Sequence, residues 1–191
     1  MTETAAEEKR VDPEREARRR LALAQVRQYP DPVLRMKARE IAEFDSALGD
    51  LVARMSALMT EAQGVGLAAP QIGVLQRVLV YQAAEEEPVR ALVNPRVVAT
   101  SPDTEVAEEG CLSLGAASVH ADVERPITVT VEARSPEGEV VRIEAEGFEA
   151  RVVQHEIDHL DGVLIIDRTT PEQRKAALGQ LRPRPELGPT R

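Results

Sequence analysis

The sequence predicts an α+β fold, with mainly antiparallel β-sheets packed around a central metal-binding helix. Three observations carry this. Strand-like runs come in a block between helical ones rather than alternating with them, which disfavours a doubly wound sheet. Aromatic residues are 2% of the chain and Trp is absent, so the core must be aliphatic. The stretch His155-Glu156-Ile157-Asp158-His159 lies in an apolar pattern of helical period.

The 191 residues suit one domain with a full core. A net charge of −9 argues against nucleic-acid binding by the whole surface, and no specific DNA contact is expected. No apolar run is long enough to cross a bilayer. The single cysteine, Cys111, excludes an intrachain disulfide and points to a reducing compartment. The acidic N-terminus lacks the apolar core of a secretory signal, so a cytoplasmic protein is expected.

In chain order, residues 1–24 read as a charged extension, disordered or helical. Tyr29-Pro30-Asp31-Pro32 is a rigid entry, with Pro32 opening a short helix to about Ala42. Ser46 is placed to cap a helix. Leu48, Leu51, Val52, Met55, Leu58 and Met59 form its apolar face, and Gly64 ends it. The small-residue stretch from Gly64 to Gly73 reads as a loop. It lacks the Lys-Ser/Thr ending of a phosphate loop, and Gln71 is its one side chain that can donate and accept hydrogen bonds.

Val74–Tyr81 and Ala91–Ala99 read as strands, the second edged or bulged at Pro95. A polar loop leads into Glu109-Gly110-Cys111-Leu112-Ser113. Ile127, Val129, Val131 and Ala133, then Val141, Ile143 and Ala145, alternate about a Ser135-Pro136-Glu137-Gly138 turn, which predicts a hairpin. Phe148, Val152, Val153, Ile157 and Leu160 form the stripe of the next helix, stopped by Gly162. A buried run Val163–Ile166 follows. Residues 171–191 read as a short helix and a Pro-rich tail.

The chemistry concentrates on H-E-x-x-H. Residues four apart on a helix differ by roughly 40° in angle and stack one turn apart, so both imidazoles can grip one divalent ion. Glu156 stands one step round, where a carboxylate can take a proton from water. Two histidines leave a catalytic site one protein ligand short. Cys111, beside Gly110, is the first candidate. His120 is its rival, but lies in an alternating run that turns it outward. A Cys-His-His set suits Zn²⁺ or Fe²⁺.

Three stretches together resemble the three motifs of the peptide deformylases. They are Gly64-Val65-Gly66-Leu67-Ala68-Ala69-Pro70-Gln71, Glu109-Gly110-Cys111-Leu112-Ser113 and Gln154-His155-Glu156-Ile157-Asp158-His159. Tyr29-Pro30-Asp31-Pro32-Val33-Leu34 is similar to the family's entry segment. The likeness runs over about residues 25–170, the expected catalytic domain.

The resemblance implies hydrolytic removal of the N-formyl group from the initiator methionine of nascent proteins, releasing formate. It implies one divalent ion per chain, Fe²⁺ in the cell with Zn²⁺ or Ni²⁺ as substitutes, held by Cys111, His155 and His159. It places the acid/base at Glu156, and carbonyl-polarising groups at Gln71 and the Leu112 N–H. Helix geometry would set Phe148 and Val152 beside the metal as a methionine pocket, with Val65 and the Gly66 backbone opposite; Gly110 is a further expected substrate-binding residue. Glu109 and Arg125 are expected to pair and brace the cysteine loop.

The family commonly has Pro where this chain has Gly115, and the segment on to Arg125 is slightly long, which bears on the loop shape. Two other readings compete with the deformylase one: an H-E-x-x-H metalloprotease, with a carboxylate or His third ligand, and a non-catalytic zinc module. A cysteine third ligand sets the chain apart from the first, and a non-catalytic module would not need Glu156. From Pro171 onward the chain has five basic and two acidic residues, so a transient ribosome contact is conceivable.

Overall fold

A computed structural model describes residues 12–181. Helix α1 (Pro13–Leu23) begins at Asp12, whose carboxylate accepts from the Glu14 N–H at 3.0 Å. Charged at most positions, it still joins the core at its end, where Ala22 and Val26 are buried against helix α2 (Ser46–Glu61). Residues 1–11 of the expected N-terminal extension lie outside the described residues, as do residues 182–191 of the Pro-rich tail.

The expected helix from Pro32 to Ala42 is only a 3₁₀ turn, Pro32–Arg35. The chain beyond it is drawn out because neighbours take its backbone. The Ala38 N–H donates to Leu160 O, the Arg39 N–H to Leu75 O, and Arg39 O accepts from Arg77. In α2 the cap is Asp45 rather than Ser46, its side chain accepting from the Leu48 N–H at 3.1 Å. The helix stops at Glu61, before Gly64, and Leu48, Met55, Leu58 and Met59 are its buried face.

Five strands form one antiparallel sheet in the order β1-β2-β3-β6-β7. They are β1 (Gly66–Ala68), β2 (Val78–Tyr81), β3 (Arg90–Thr100), β6 (Thr128–Arg134) and β7 (Val140–Glu146). β1 was not expected inside the small-residue loop, and β2 is shorter than the predicted run, starting at Val78. The register of β3 against β6 slips between Val93 and Arg96, the bulge that Pro95 requires. A second pair, β4 (Thr104–Gly110) and β5 (His120–Pro126), replaces the expected polar loop. The fold is α+β with antiparallel sheets, as predicted.

Helix α3 (Gly147–Leu160) lies against the large sheet. Ala150, Val153, Ile157 and Leu160 pack on Leu79, Tyr81, Leu92 and Val131 in one aliphatic cluster. Phe148 does not belong to that face: it is 55% exposed. The helix ends as Gly162 predicts. That residue has φ +75°, and a Cβ there would meet Arg35 O at 2.6 Å. A 3₁₀ turn (Ile165–Asp167) and helix α4 (Pro171–Leu181) close the far side, where Leu164, Ile166 and Ala177 pack with Leu114 and Val123. No helix among the described residues is long and apolar enough to cross a membrane.

Candidate active site

Three elements converge on one point. Helix α3 supplies His155 and His159 from successive turns, with ring centroids 5.0 Å apart. The loop after β4 supplies Cys111, whose Sγ lies 3.2 Å from His159 Nε2. The 3₁₀ turn after β1 (Ala69–Ile72) supplies Gln71. One ligand atom each from Cys111, His155 and His159 lies within 4.8 Å of the others. His120, the rival ligand, is exposed at the start of β5 and stands apart from this group.

The donor set suits a divalent metal. One sulfur and two imidazole nitrogens are the ligands that Zn²⁺ and Fe²⁺ take, with a position left for solvent. The His155 ring is also turned for it. His155 Nδ1 lies 2.9 Å from Glu109 Oε2, so its other nitrogen faces the thiol.

Glu156 is 4% exposed, and its Oε2 has no hydrogen-bond partner among the described residues. Burial pushes its carboxyl up to about 7, against the pull of His155 and Arg125. A carboxyl titrating there is suited to both accepting and returning a proton near neutral pH. Gly66 makes room for it: a Cβ at that position would land on Glu156 Oε1.

Gln71 is 1% exposed, and its amide orientation is fixed from both ends. Oε1 accepts from the Ala68 N–H at 2.8 Å, so Nε2 points to the cysteine loop, 3.2 Å from Ser113 Oγ and 3.9 Å from Cys111 Sγ. Above these groups opens a cleft of about 240 Å³. Val65, Gly66, Gly110, Phe148 and Val152 all line it, as do Gln71, Cys111, Leu112, His155 and Glu156. Phe148, no part of the core, stands at the rim.

Sequence reasoning missed the depth of the support around the histidines. Glu109 was expected only to pair with Arg125. It does so through Oε1 at 2.6 Å and Oε2 at 3.0 Å, but it also receives His155 and Arg151. Burial pushes the Glu109 carboxyl up, yet the hydrogen bonds from His155 and Arg125 outweigh it and hold it down at about 2. Arg125 also reaches Asp158 Oδ2 at 2.9 Å, which Arg168 covers from outside. The one sequence signal for this network was a pair of charges, Asp158 and Arg125, set among apolar positions.

The sequence model of the polypeptide deformylase family matches residues 23–175. The chain belongs to the polypeptide deformylase family. The peptide deformylase of Natranaerobius thermophilus is 47% identical over 148 residues, 78% of this chain and 93% of that protein. That of Thermotoga neapolitana is 48% identical over 149 residues, 78% of this chain and 88% of its own length. Among solved deformylase structures, that of Thermotoga maritima superposes with a TM-score of 0.73 at 44% identity, covering 76% of this chain and 97% of that one. A Legionella pneumophila deformylase gives 0.77 at 38% identity, covering 82% and 91%. The family's metal dependence accords with the Cys-His-His group.

Proposed function

We infer that this chain removes the N-formyl group from the formyl-methionine that begins nascent proteins, releasing formate. The observation that carries the reading is the meeting of Cys111, His155 and His159 beside a buried Glu156, in a chain of the polypeptide deformylase family.

Cys111 Sγ and one ring nitrogen each of His155 and His159 would hold the ion. When bound, such an ion supplies Lewis acidity and makes water more acidic. Fe²⁺ is the proposed ion in the cell, with Zn²⁺ or Ni²⁺ able to replace it.

The chain's own groups do the rest. Glu156 takes a proton from the water that adds to the formyl carbon. It returns that proton to the nitrogen as the C–N bond breaks, leaving a free amine and formic acid, which gives up its proton to become formate. Gln71 Nε2, aimed by Ala68, and the Leu112 N–H would donate to the oxygen that gains charge. One such donor is typically worth about 3–4 kcal/mol of barrier. Val65, Gly66, Gly110, Phe148 and Val152 would hold the methionine side chain. Acting on nascent chains, the protein would work in the cytoplasm and meet the ribosome only transiently.

The direct test is formate release from a formyl-Met peptide by anaerobically purified protein, with metal analysis of the same sample. Stoichiometric formate with about one divalent ion per chain is expected. Cleavage of internal peptide bonds without formate release would replace this reading with a protease.

A further inference from the structure

The loop that carries Cys111 and Leu112 has little regular structure of its own. After Leu114 it runs through three consecutive residues in the left-handed region: Gly115 at φ +60°, Ala116 at +53° and Ala117 at +67°. Alanine reaches such a conformation only when its surroundings impose it. One side chain spans this stretch, and it comes from the far end of the chain. Gln28 Nε2 donates to Leu112 O at 2.8 Å, and Gln28 Oε1 accepts from the Ala116 N–H at 2.9 Å. The amide is aimed from behind, since Nε2 also lies 3.3 Å from Val26 O. The next residue adds a backbone bond, the Tyr29 N–H to Ser113 O at 2.8 Å.

Leu112 is therefore held on two sides. Its carbonyl is tied to Gln28. Its side chain packs so closely on Gly64 that a Cβ there would lie 2.9 Å from Leu112 Cδ1. The Leu112 N–H, by contrast, donates to no protein acceptor among the described residues, and Leu112 lines the cleft.

We propose that Gln28 is a positioning residue that fixes the Leu112 peptide so that its N–H points into the cleft. The proposal rests on the deformylase reading, in which that N–H meets the charged oxygen of the reacting formyl group. Gln28 touches neither substrate nor ion. It acts by holding a donor at the angle where it is strongest as charge develops, so its loss should lower kcat and leave KM alone. The bond to Leu112 is the working half. The bond to Ala116 is exposed, and water can take its place.

Three variants of the metal-loaded protein separate the two bonds. Gln28→Met removes both. Gln28→Glu keeps an acceptor for Ala116 but sets an oxygen against Leu112 O. Gln28→Lys keeps a donor for Leu112 alone. Met and Glu should each lower kcat for a formyl-Met peptide by about ten- to a hundredfold, with KM within about twofold and metal content unchanged. Lys should recover most of the rate. The Leu112 amide proton shift should move in the Met variant and return towards the wild-type position in Lys.

Equal rates in all three variants, or equal losses in all three, would overturn the proposal while wild-type formate release still upheld the deformylase reading. No formate from the wild type in the same assay would remove both. Should Gln28→Glu fail to fold, the contrast between Met and Lys decides.

Discussion

Glu109 Oε2 stands 2.9 Å from His155 Nδ1, while Oε1 of the same carboxylate accepts from Arg125 at 2.6 Å and from Arg151 at 2.8 Å. One buried side chain from β4 thus orients a histidine of α3 and anchors two arginines. The Glu-Gly-Cys turn places the carboxylate on one side of His155 and the thiol beside His159.

Glu109→Gln keeps the size of that side chain and removes its charge. Arg125 and Arg151 are left with less anion than they need in a buried setting. Stability should fall by about 3 kcal/mol in chemical denaturation. Metal affinity, measured by competition with a chelator, should fall by roughly 10–100-fold, the usual effect of losing a group that orients a ligand.

Gly66→Ala is a test of space. The new methyl group would occupy the place of Glu156 Oε1. A Cβ there would also lie 2.7 Å from Glu156 Cδ and 2.8 Å from Cγ, so the whole carboxylate must leave its position. Formate release should fall by about a hundredfold or more, with metal content retained.

Phe148 is 55% exposed at the cleft rim, so it contributes little to the core. Phe148→Ala should raise KM for a formyl-Met peptide several-fold. The melting temperature should stay within roughly 2 °C of the parent, as expected for a surface position. A large fall in melting temperature would return Phe148 to the core.

Asp167 gives an acid-range pH signature away from the Cys-His-His group. Partial burial pushes its carboxyl up, but bonds from Arg35, the Leu164 N–H and Arg174 outweigh this and hold it below its ordinary value. A depressed folded value means that the unfolded chain binds the proton first. The stabilisation is then present above the ordinary value of 3.8 and lost as pH falls through the lower folded one. Asp167→Asn should be less stable than the parent at pH 6. The two should converge as pH drops below that value, by an amount reduced because Asp167 is partly in solvent.

Two local signals in the sequence are legible. His155 and His159 share a face because helix geometry demands it, and Gly162 ends α3 because its φ is positive. Strand β4 was illegible for a physical reason. Of Thr104–Gly110 only Glu109 is buried, so the run shows no alternation of apolar and polar residues. Strand β1 is three residues long and buried throughout, with a glycine whose missing side chain serves Glu156. Phe148 has the right spacing for the core stripe, but it sits in the first turn of α3, beyond the packed face. Gln28 carried no signal at all, since its two partners in the cysteine loop lie 84 and 88 positions away.

The central claim is that Glu156 moves the proton while Cys111, His155 and His159 hold the ion. It is tested most directly by formate release from a formyl-Met peptide, compared between the parent and Glu156→Ala at equal metal content. The account predicts that the variant keeps about one ion per chain and loses at least about 10²-fold in kcat. A variant that kept its metal and turned over at near the parental rate would contradict it.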